Sequence, residues 1–180
     1  MSTPVSIVAT AVTFVTVCCV VDIRTRRIPN VLSGGVAVAG IVLNVLFAGW
    51  CGLSHSLVGA VAGAAVLFVP FALGGIGGGD VKMAAAVGAL LGPSLVLAML
   101  AIGMMTGGVI TMAQLALLGR LREKLASTGW MMAAAASTRS LAPLKMPASD
   151  PRAVSLPYSV PLGIGTVAVL ALTGAFGGLP

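Results

Sequence analysis

No Lys, Arg, Asp or Glu occurs in residues 1–21, 28–79, 83–119 or 153–180. Apolar runs this long constrain the fold more than anything else in the chain. A helix needs about 20 apolar residues to cross a bilayer, and it satisfies its own backbone hydrogen bonds there. Only 8% of the 180 residues are charged and 58% are hydrophobic, with a mean hydropathy of +1.12. A soluble domain carries roughly a quarter charged residues. These features predict an all-α, polytopic integral membrane protein, with residues 1–180 forming one unit. Six segments are expected, at 4–22, 31–50, 54–73, 81–92, 94–118 and 157–178. The fourth is short, bounded by a glycine run and by Gly92-Pro93.

The positive charges test this division. Arg24, Arg26 and Arg27 fall between segments one and two. Lys82 follows the glycine run between three and four. Arg120, Arg122, Lys124, Arg139, Lys145 and Arg152 fall between five and six, which accounts for all ten Lys and Arg. Alternate loops therefore hold all the positive charge. The positive-inside rule then places those loops in the cytosol and both termini outside. The first run has no basic residues before it and several after it, so it is expected to stay as a span and not to be cleaved as a signal peptide. The net charge of +6 points to anionic lipid headgroups as a partner. Nucleic acid is not expected as one, because the basic residues are scattered over loops with few aromatics.

Gly59 and Gly63, Gly88 and Gly92, and Gly103 and Gly107 are each four apart, a spacing that lets helix backbones approach closely. Cys18 and Cys19 lie within the first run and are read as small packing residues, while Cys51 is placed in a loop. No CxxC pair exists, and His55 has no Cys, His or carboxylate near it in sequence. No metal site and no cofactor are expected. The loop at 119–156 is the long polar stretch. It is open to two readings, a weakly amphipathic helix on the membrane surface or a plain connector.

The sequence GGIGGGDVKM at 74–83 stands out against this background. Glycine is a poor helix former, and a carboxylate near a lipid interior is costly. Of the four acidic residues, Glu123 and Asp150 lie in the long polar loop. Asp22 closes the first span, and Asp80 follows the glycines before the fourth. The charge map sets both at the cytosolic ends of their segments. Each has a plain reading: Asp22 as a boundary charge offset by Arg24 and Arg26, Asp80 as a helix N-cap. Together they are the minimum set for aspartyl proteolysis. Two carboxyls at one level of a bundle share a proton; the ionised one activates water and the protonated one polarises a peptide carbonyl. A glycine-rich break would expose backbone groups and let an extended substrate come close.

At these residues the chain also resembles a family. GGGDVKM, with Gly77, Gly78, Gly79, Asp80 and Lys82, is similar to the GxGD motif of type IV prepilin peptidases and archaeal preflagellin peptidases. DIRTRRIPN at 22–30 resembles their first aspartate motif, and LPYSVPLGIG at 156–165 resembles the start of their final span. The three occur in the family's order. The resemblance implies that Asp22 and Asp80 are a catalytic dyad, flanked by Gly77 and Gly79. It implies a leader-cleaving aspartyl endopeptidase acting on pilin-like precursors in the cytoplasmic membrane. The likeness is to the short kind that accompanies tight-adherence (Flp) pili, without the CxxC region linked to methylation. Lys82 either lends its charge to a nearby aspartate or anchors the helix at the interface. Asn30 is expected to cap the second span.

Two other functions fit some of these features. A proton-coupled carrier or channel subunit would use the aspartates as a relay. It would want carboxylates at several depths, whereas both acids here lie at one face. A non-catalytic assembly protein would tolerate Asn at either position.

Overall fold

The computed structural model of the chain describes residues 4–25, 28–138 and 158–174. Arg26, Arg27, Arg139, Lys145, Asp150, Arg152, Leu156 and Pro157 lie outside the described residues, as does the last part of the expected sixth segment. Among the described residues five helices follow one another: α1 (Val5–Thr25), α2 (Asn30–Ala72), α3 (Gly78–Leu117), α4 (Leu121–Thr138) and α5 (Ser159–Leu172). Helices α1, α2 and α3 are each long and apolar enough to cross a membrane.

The expected second and third segments thus share α2, and the fourth and fifth share α3. Both long helices are bent sharply at a glycine. Gly49 has φ 56° and ψ −133° inside α2, a backbone region that glycine enters without steric penalty. A Cβ on Gly52 would strike the carbonyl oxygen of Asn44, eight residues earlier. Residues that far apart meet only if the chain doubles back. The loop expected around Cys51 is therefore reduced to a bend, and Cys51 is helical and exposed.

In α3 the bend is at Gly92, with φ 80° and ψ 178°, next to Pro93. Gly63 of α2 lies against both Ala84 and Val96, so the two arms of α3 also fold together. The arm from Gly78 to the bend spans only about 21 Å at 1.5 Å per residue. That is less than the ~30 Å hydrocarbon layer.

Pro93 has no N–H, so the carbonyl four residues before it, that of Ala89, loses its helical partner. Asn44 supplies one. Its Nδ2 donates to Ala89 O at 3.1 Å, to Leu90 O at 3.1 Å and to Gly40 O at 3.0 Å. An unpaired carbonyl in an apolar interior would be costly, so this amide is what lets the α3 bend sit against α2.

Helix α3 is the centre of the bundle and touches all four others. The small residues form its seams, as their spacing predicts. Gly59 faces Gly88 and Gly63 faces Ala84, so these arms of α2 and α3 run antiparallel, backbone against backbone. Gly103 and Gly107 receive Leu162 and Pro161 of α5, and Gly165 of α5 lies on the Met99 carbonyl. The core holds Ile7, Phe14, Met83, Leu90, Met99 and Leu162. Val38, Val42, Leu46, Val61, Phe68 and Val109 point outward, the side that lipid would cover.

A substitution at the seam has a clear expected effect. Gly88→Val would drive a side chain into the Gly59 carbonyl, and backbone cannot yield as a side chain can. Overpacking of this kind costs about 1–3 kcal/mol. Gly88→Val should lower the melting temperature and the folded yield in detergent. Gly34→Val, where a Cβ meets nothing within 4 Å, should leave both nearly unchanged.

Helix α4 touches α3 alone among the other helices, and Leu125 and Trp130 on it are exposed. Part of the long polar loop is therefore a helix, and the plain-connector reading does not hold over 121–138.

Candidate active site

Asp22 lies one turn before the end of α1 and is only 9% exposed. Asp80 is the third residue of α3 and 8% exposed. The fold thus buries two carboxyls, 58 residues apart in sequence, on helices α1 and α3, which touch each other.

Asp80 does not cap its helix. The N-cap is Gly77, in an extended conformation with φ −76° and ψ 147°, and the Asp80 N–H donates to the Gly77 carbonyl at 3.1 Å. A carboxylate in the first turn of a helix sits at the favourable end of the helix dipole.

The break between α2 and α3 covers residues 73–77, and Gly78 and Gly79 already belong to α3. The helix thus begins three residues before the expected start at 81. None of Gly77, Gly78 and Gly79 has a positive φ, so backbone conformation does not require glycine at these positions. A Cβ on Gly77 would lie 3.3 Å from Asp80 Oδ2, and one on Gly78 would lie 3.3 Å from the Phe71 ring. A Cβ on Gly79 would lie 3.4 Å from Ile28, in the link between α1 and α2. Gly79 thus places the first turn of α3 beside that link.

Lys82 donates from Nζ to Asn30 Oδ1 at 2.7 Å. This ties the start of α3 to the start of α2. Asn30 is not the N-cap of α2, as expected, but its first helical residue; Pro29 holds the cap position with φ −60° and ψ 135°. The amide of Asn30 is thus left to receive Lys82.

A further residue enters from α5. Ser159 is fully buried, and its Oγ donates to Asp22 Oδ2 at 2.6 Å. Its own carbonyl accepts from Cys19 Sγ at 3.2 Å. Cys19 is one turn before Asp22, so two contacts join α1 to the first turn of α5. Ser159 was legible only as a letter within LPYSVPLGIG. A polar residue at the start of an apolar segment was the signal available.

The arrangement is a helical bundle with three helices long and apolar enough to cross a membrane and two buried carboxyls near helix ends. The model of the type IV leader peptidase family matches residues 9–112, more than half of the chain and a span that contains both aspartates. The chain belongs to this family of proteases. No curated protein and no solved structure matches it.

Proposed function

We propose that this protein is an aspartyl endopeptidase that removes the basic leader from pilin-like precursors at the cytosolic face of the cytoplasmic membrane. The observation that carries this reading is the burial of Asp22 near the end of α1 and of Asp80 at the start of α3, two helices that touch. A proton shared between two such groups leaves one carboxylate and one carboxylic acid. The carboxylate takes a proton from water as its oxygen attacks the scissile carbonyl. The carboxylic acid gives its proton to that carbonyl oxygen. The tetrahedral intermediate then collapses: the C–N bond breaks, the leaving amine takes the proton that the first carboxylate drew from water, and the second carboxylate takes back the hydroxyl proton as the C=O re-forms. Both groups end as they began.

The test is direct. The protein in proteoliposomes, mixed with a pilin-like precursor, should release a shortened product and a short basic peptide. Return of the intact precursor after long incubation would refute the reading.

The orientation is tested separately at Cys51. Its side chain is exposed beside the Gly49 bend, and the loop carries no Lys or Arg. An impermeant maleimide applied to intact cells from the periplasmic side should label it. Labelling that requires opening of the inner membrane would invert the topology and remove the dyad from the cytosolic face.

A further inference from the structure

The hydrogen bond from Ser159 to Asp22 has a role that neither the family match nor the aspartates themselves assign. The matched region ends at residue 112, and α5 lies beyond it. Ser159 has no exposed surface, so its hydroxyl cannot turn to water. At 2.6 Å from Asp22 Oδ2 the bond has the length of a charge-assisted O–H···O contact.

The serine is itself held. Gly103 and Gly107 dock α5 on α3 through Leu162 and Pro161, and a Cβ on Gly163 would lie 2.8 Å from Cys19 Sγ and 3.0 Å from Val15, so glycine there lets α1 pack against α5. The Cys19 thiol fixes the Ser159 carbonyl. Three helices therefore set where the hydroxyl points, and the hydroxyl sets where the Asp22 carboxyl points.

We infer that Ser159 is a positioning residue for the dyad: its hydroxyl holds Asp22 Oδ2 so that Oδ1 is presented to the proton transfer with water. The inference rests on the reading of Asp22 as catalytic. It assigns a part in the reaction to α5, which otherwise reads as an apolar packing helix. A carboxyl without this anchor is free to rotate about its side-chain bonds, and small misplacements at a reacting group cost rate steeply. The hydroxyl is fully buried against Asp22 and offers a precursor no contact of its own, so precursor binding should not depend on it.

Ser159→Ala removes one oxygen atom. In proteoliposomes with a pilin-like precursor it should lower kcat about ten- to a hundredfold, with KM changed less than about twofold. A second pair covers the case in which the alanine variant fails to fold. Ser159→Thr and Ser159→Val are equal in size and differ in the hydroxyl. The threonine variant should keep most of the activity, and the valine variant should lose it to the same extent as alanine. Wild-type kcat in Ser159→Ala, or equal loss in the threonine and valine variants, would overturn the inference. So would a raised KM at unchanged kcat. Asp22→Asn, run in the same assay, separates the two levels: if it is inactive while Ser159→Ala is normal, the dyad stands and the serine's role falls. If Asp22→Asn is active, the dyad reading itself has failed.

Discussion

Asp22→Asn and Asp80→Asn should each abolish precursor cleavage, with kcat at least about a thousandfold down. The substitution is nearly isosteric. An Asn at position 22 still offers a carbonyl oxygen to the Ser159 hydroxyl, so the α1–α5 contact survives. An Asn at position 80 still fills the space beside Gly77. What each change removes is a group that can bind and release a proton. The two carboxyls work as one unit, so either loss stops the cycle and the double variant should be no worse than the singles. Glu123→Gln is the contrasting case. Glu123 is exposed on α4, 3.9 Å from Arg120, and a surface pair of this kind has little energetic weight. Its activity should stay near wild type. Size-exclusion profiles in detergent would confirm that each variant is folded, and product mass spectrometry would read the cleavage. Substantial activity in Asp80→Asn would end the aspartyl mechanism.

The position of the cut is the second large effect. Asp22 is near the last turn of α1 and Asp80 in the first turn of α3. If these ends face the cytosol, the scissile bond must come to that boundary. A precursor with a basic leader and a long apolar helix keeps its leader in the cytosol by the positive-inside preference. The junction of leader and helix is then the part at the depth of the dyad. It has to be extended to be attacked, and a glycine there makes that easy. A single cut at this junction is expected, leaving the apolar helix whole on the product. Replacing the junction glycine with Leu or Phe should block processing almost completely, while a leader shortened by one or two basic residues should still be cut. N-termini found several residues inside the apolar helix would replace leader removal with cleavage inside the span.

The bends show how far local pattern reaches. The expected boundary between segments 31–50 and 54–73 falls at residues 51–53. The actual turning point is Gly49, whose φ of 56° no hydropathy pattern encodes. At Gly92-Pro93 the boundary was legible, because proline removes a donor wherever it falls in a helix. That Asn44 would repair the loss was not, since the two meet only when α2 lies along α3. The caps are similar. Asp80 and Asn30 are both good N-cap types, yet Gly77 and Pro29 take those positions, and Asn30 is drawn instead to Lys82.

Membrane character, the placing of Asp22 and Asp80 at span ends and the glycine seams all follow from the sequence alone. Each depends on spacing along one segment or on the presence of a charge in an apolar chain, and such properties hold before any helix finds a neighbour. The bond between Ser159 and Asp22 joins residues 137 apart. Burial of both aspartates, the contact of Lys82 with Asn30 and the cover that Asn44 gives to Ala89 are also products of helix packing. A side chain's hydrogen-bond partner across the bundle is set by the direction in which each helix face is turned. That direction is fixed only when α1, α3 and α5 close on one another at the glycines of α3 and α5.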